Sequence, residues 1–113
     1  MKRLTAVLVV VAALAGCRHW QRETGDLKVN VPEARRVEIL AAKSVVRILN
    51  RGAVPVEVSG AGRPFVLATS QDRELNLEGN HVLEFAVRGE GRGEIDLHYT
   101  VVGRNMRVSV ILE

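Results

Sequence analysis

The chain has 113 residues, 47% of them hydrophobic and 26% charged, which leaves room for one domain rather than two. Its single cysteine excludes an internal disulfide, so the fold must be held by its core alone. The formal net charge of +3 invites an anionic partner, but no Lys/Arg cluster with interleaved aromatics follows, and no nucleic-acid role is assigned.

The chain opens Met1-Lys2-Arg3 and runs on through apolar residues from Leu4 to Gly16. Two cations before a short apolar run are the n-region and h-region of a secretory signal peptide. A permanent span needs about 20 apolar residues to cross a core of about 30 Å. This run, at ~1.5 Å per residue, reaches only about 20 Å. It then stops at the polar stretch Cys17-Arg18-His19-Trp20-Gln21-Arg22.

Behind the apolar run stands Leu14-Ala15-Gly16-Cys17. This tetrad resembles the lipobox of bacterial lipoproteins, with small residues at 15 and 16 for a tight peptidase site. The resemblance covers residues 1–17 and implies that the Cys17 thiol carries a diacylglyceryl group. It also implies cleavage before Cys17 and acylation of the new amine. The resemblance thus implies that Cys17 is the lipid attachment site and residues 1–16 the signal peptide. Two or three acyl chains anchor stably where one alone anchors reversibly. Removing Lys2 and Arg3 leaves 14 Lys/Arg against 13 Asp/Glu, so the mature domain is close to neutral.

Residues 17–25 show neither apolar period and are expected to form a lipidated tether, with Trp20 between Arg18 and Arg22 suited to the headgroup level. Arg18 stands where enterobacterial lipoproteins destined for the inner membrane carry Asp. The expected address is the bacterial envelope, on the outer membrane facing the periplasm.

From Asp26 to the end the dominant period is two, as in half-buried strands. Leu27, Val29 and Val31 alternate with polar residues. The stretch 31–42 is ambiguous: Val37 and Ile39 fit a strand, but a helical turn also fits. Val54, Val56 and Val58, then Leu75 and Leu77, then Leu83, Phe85 and Val87 continue the pattern. Ile95, Leu97, Tyr99 and Val101, and finally Met106, Val108, Val110 and Leu112, complete it. A Gly103-Arg104 loop predicts a hairpin with Tyr99 opposite Val108 and His98 opposite Ser109. An Asn50-Arg51-Gly52 loop predicts a second hairpin, Ile48 opposite Val54 and Val46 opposite Val56. Pro55 lacks a donor and predicts an edge strand. Residues 60–64 and 89–93 read as Gly-rich loops.

Seven to nine short strands predict an all-β antiparallel sandwich over residues 26–113. The stretch "RILNRGAVPVEVSG" followed by "FVLATSQDRELNL" resembles bacterial immunoglobulin-like domains in general architecture.

No motif with chemistry emerges. His81 and His98 have opposite parity, which gives no metal site. Asp96, His98 and Ser109 sound like a triad, but a sheet face offers no oxyanion donors. Outward-parity Val82, Ala86, Val102 and Ile111 are candidates for a docking patch. The expectation is a non-enzymatic, membrane-anchored binding or structural module without a cofactor. Its partners would be the membrane, through lipid on Cys17, and an unidentified envelope protein. The alternative is an accessory subunit of an envelope or secretion assembly, and more distantly a metal-binding or hydrolytic protein.

Overall fold

The computed structural model describes residues 20–32 and 34–112. The expected signal peptide, the lipobox-like tetrad and Cys17, the expected lipid site, lie outside the described residues.

Nine strands form in chain order: β1 (Gln21–Val31), β2 (Ala34–Leu40), β3 (Lys43–Asn50), β4 (Val56–Ser59), β5 (Phe65–Leu67), β6 (Asp72–Glu78), β7 (His81–Val87), β8 (Gly93–Gly103) and β9 (Arg107–Leu112). Within the ambiguous segment, Ala34–Leu40 form a strand, β2. The strands make two antiparallel sheets, one of four in the order β1-β8-β3-β6 and one of five in the order β5-β4-β7-β2-β9. The all-β sandwich expected from the alternation is therefore what forms. The chain changes sheet at each connection except β4–β5, and the strand order is that of a jelly roll with β9 added beside β2. The likeness to immunoglobulin domains stays at the level of two packed sheets.

Each sheet turns one apolar face inward. From the four-stranded sheet come Val29, Val46, Ile48, Ile95, Leu97 and Val101; from the five-stranded sheet come Val37, Ile39, Val56, Leu83, Phe85 and Val108, all 1% exposed or less. At about 25 cal/mol per Å² of apolar area buried, such a core offsets the ordering of a disulfide-free domain.

Both predicted hairpins are corrected. β8 and β9 lie in different sheets, as do β3 and β4. The loops 104–106 and 51–55 are arches over the edge of the core, not hairpin turns. β8 pairs instead with β1 and β3, placing Leu97 beside Leu27 and Ile48. β9 pairs with β2, setting Val108 beside Ile39.

Asn50 explains how the first arch holds. Its side chain is fully buried, and Nδ2 donates to the carbonyls of Val54 and Leu67 at 3.0 and 2.9 Å. Its Oδ1 accepts from the Gly52 N–H at 2.9 Å. A single amide thus satisfies a turn that has no ladder of its own.

Two smaller expectations also change. Pro55 does not mark an edge: β4 begins one residue later and is paired on both sides, by β5 and β7. The Pro55 carbonyl accepts from the Arg88 N–H at 2.8 Å. The expected tether is shorter than its sequence: residues 21–25 are strand, paired from Gln21–Gly103 to Gly25–Tyr99. β1 here is held by main-chain bonding to β8 rather than by burial, so no apolar alternation marks it.

Candidate functional site

The outer face of the four-stranded sheet carries the densest array of polar side chains. Outward parity on β1, β8, β3 and β6 sets residues in rows across all four strands. One row runs Asp26–His98–Arg47–Glu74, and the next runs Lys28–Asp96–Leu49–Asp72. His98 Nδ1 donates to Asp26 Oδ1 at 2.6 Å. Arg47 reaches two carboxylates, Asp72 at 3.6 Å and Glu74 at 3.7 Å. Asp96 accepts from Arg51 at 3.0 Å, with Lys28 at 4.0 Å. Opposite charges are direct cross-strand neighbours at Lys28–Asp96 and Arg47–Glu74, which offsets repulsion on an exposed sheet.

Two shallow depressions flank the first row and share Arg47 and His98. One, of about 360 Å³, is lined by Asp26, Lys28, Leu49 and Asp96 as well; the other, of about 430 Å³, by Val45, Glu74 and Thr100. Both are open to solvent, and their carboxylates and cations are largely matched with one another. Such a surface positions hydrogen bonds for a partner laid across it. It assembles no nucleophile beside a base.

The Asp96–His98–Ser109 arrangement is corrected. Ser109 is on β9, in the other sheet, opposite Glu38. The proximity depended on the β8–β9 hairpin, which does not form. His81 staples two turns: Nδ1 lies 3.2 Å from the Gly60 carbonyl and Nε2 lies 3.1 Å from that of Glu78. Among the described residues no three His, Cys, Asp or Glu side chains gather around a point.

Below the charged rows, Tyr99 lies against β1. It is 6% exposed, and its hydroxyl pKa is raised by burial first, then by the negative charges of Glu23 and Asp26.

The outward apolar residues do not make one patch. Val102 faces out from the four-stranded sheet, whereas Val82, Ala86 and Ile111 belong to the other. There Glu38, Glu57 and Arg36 stand among them in the pairing register. Their shared parity said nothing about which sheet each occupied.

The end of the sandwich where β1 begins has a different character. Arg22, Val102, Lys43 and Glu78 form its first row. The turns 41–42 and 79–80 close over it, with Ala42 N–H donating to Val102 and Gly79 N–H to Ala42 at 3.0 and 2.9 Å. The loops 60–64 and 104–106 complete the rim. Arg22, Lys43, Arg63 and Arg104 are all exposed here. Elsewhere the cations are engaged: Lys28, Arg47, Arg51, Arg88 and Arg107 with carboxylates, and Arg73 over the Phe65 ring at 4.3 Å. Sequence reading missed this rim, because its four cations are scattered between positions 22 and 104. The available signal was that Lys43, Arg63 and Arg104 lie in or beside turns, and alternate turns return to the same end, where β1 also begins.

No protein-family model matches the chain, and no curated protein matches it. Among solved structures it is similar to a family two carbohydrate esterase from Cellvibrio japonicus. The two align over 81% of this chain and 36% of that one, at 11% identity and a TM-score of 0.44. The chain thus spans little more than a third of that structure.

Proposed function

We propose that this protein is a lipid-anchored module of the bacterial envelope, facing the periplasm from the outer membrane, with a non-enzymatic binding or structural role. The lipobox-like Leu14-Ala15-Gly16-Cys17 supports the anchor. The observation that carries the reading is the distance from that site to the fold. β1 starts at Gln21, four residues after Cys17. At ~3.5 Å per residue, the sandwich begins within about 14 Å of the lipid-bearing residue. In this reading β1 leads away from the bilayer, and the sheet faces stand sideways to it. The row Asp26–His98–Arg47–Glu74 is then the surface offered to a neighbouring envelope protein.

A second reading, as a subunit of a larger envelope assembly, is favoured by β1. It is an edge strand of 11 residues, and among the described strands only β8 pairs with it. A long unpaired edge is a template for strand addition by another chain.

The test is metabolic labelling with palmitate and fractionation of cells carrying the wild type or Cys17→Ser. The wild type should be labelled and sediment with membranes. The variant should lose the label and either leave the membrane or accumulate uncleaved. A labelled, membrane-bound Cys17→Ser protein would refute the reading.

A further inference from the structure

We infer that the sandwich stands on the bilayer, with the rim formed by Arg22, Lys43, Arg63 and Arg104 docked on anionic lipid headgroups. The inference rests on the anchoring reading above for its proximity to lipid, and on the placement of charge for its orientation. The four cations come from β1, β3 and two loops, yet they all lie at the end where the chain enters from Cys17. Glu78 is the carboxylate facing them in the first row, and no ion pair joins it to Lys43.

Two further observations point at a headgroup surface. Trp20, 54% exposed, precedes β1 at this same end, where an interfacial indole belongs. The opposite end, at loops 51–55 and 88–92, has its Arg51 and Arg88 bound to carboxylates. The cations at the end that a short tether holds against the membrane are thus without ion pairs among the described residues, and the four of them outnumber the nearby carboxylates Glu23 and Glu78. Each cation near an anionic surface multiplies the docked population by about fivefold, so four multiply it several hundredfold at low salt. With a long dimension of 46 Å, a docked sandwich places its far end well away from the bilayer.

The experiment uses the lipidated mature chain, beginning at Cys17, reconstituted into vesicles of phosphatidylcholine, with or without a third phosphatidylglycerol. A fluorophore is attached at Pro64→Cys, on the rim, or at Glu90→Cys, at the far end. Brominated lipids serve as quenchers. The expected result is quenching at position 64 that rises severalfold with phosphatidylglycerol, while position 90 stays unquenched. The rise should vanish in 1 M salt, where the screening length is about 3 Å. It should vanish also in Arg22→Glu/Lys43→Glu/Arg104→Glu, whose exposed positions leave the fold intact by circular dichroism.

Equal quenching at 64 in neutral and anionic vesicles, or quenching indifferent to the triple reversal, would overturn the docking. Failure of the anchor is read separately: an unlipidated Cys17 would accept a second fluorophore. The charge dependence at position 64 decides the docking in either case.

Discussion

Gly25 of β1 lies directly opposite Tyr99 of β8, and the tyrosine ring occupies the space that a side chain at position 25 would need. A Cβ placed there would stand 2.6 Å from Cζ of Tyr99 and closer still to its Oη. The glycine costs β1 some rigidity, but it lets the one tyrosine lie flat along the edge strand. Gly25→Val should displace the ring and destabilise the fold by about 1–3 kcal/mol. Urea unfolding checks this, and an unchanged midpoint with an unchanged slope would show that the ring is not packed there.

Tyr99 also supplies a pH signature. The chain has a single tyrosine, so ultraviolet difference absorbance follows its ionisation alone. Burial, with Glu23 and Asp26 nearby, raises its pKa above the ordinary value of 10.0. The folded state therefore holds the proton more tightly than the unfolded state. That contribution to stability is complete below about pH 10 and is lost as pH climbs toward the folded value. The titration midpoint should lie above that of the urea-unfolded chain. In Tyr99→Phe, stability should lose this alkaline decline. Coincident midpoints in folded and unfolded protein would contradict the assignment.

Two buried polar side chains should respond in opposite ways. Asn50 satisfies three main-chain groups, so Asn50→Leu strands two carbonyls and an N–H at about 1–3 kcal/mol apiece. A loss of about 3 kcal/mol or more is expected. Ser44 is 3% exposed in β3, and its buried hydroxyl has no hydrogen-bond partner among the described residues. Ser44→Ala removes an unsatisfied group and should leave stability level or raise it by up to about 1 kcal/mol. Chemical denaturation of the two variants side by side makes the comparison. A destabilised Ser44→Ala would mean the hydroxyl has a partner.

The strands were legible because period-two alternation survives wherever one face is buried, as in Ile95–Val101 and Leu83–Val87. Their pairing was not. A hairpin and an arch are hard to separate by parity, because inward residues meet inward residues both across a ladder and across the core. Tyr99 and Val108 share the core from facing sheets, which satisfies the same test that a hairpin would. The first half of β1 was hidden for the opposite reason. Its residues Gln21, Glu23 and Gly25 face inward without being apolar, and β8 holds them by main-chain bonds. The His98–Asp26 contact was out of reach for sequence reasoning, because it joins residues 72 apart through that same pairing.

Engineered bridges test the pairing directly. Thr24 and Thr100 are cross-strand partners with their hydroxyl oxygens 3.3 Å apart. In a Cys17→Ser background, Thr24→Cys/Thr100→Cys should oxidise to a disulfide under mild conditions. His98→Cys/Ser109→Cys, which a β8–β9 hairpin would join, should not. Ready formation of the second bridge and failure of the first would refute the sheet order.

In the proposed reading a lipid on Cys17 gives the sandwich its place in the cell, and intact-mass spectrometry of protein extracted from native membranes measures it directly. The chain should begin at residue 17, with a mass exceeding that of its polypeptide by a diacylglyceryl group, alone or with one further acyl chain. A chain that still begins at Met1 with a free thiol, or one cut elsewhere and carrying no lipid, would contradict the account.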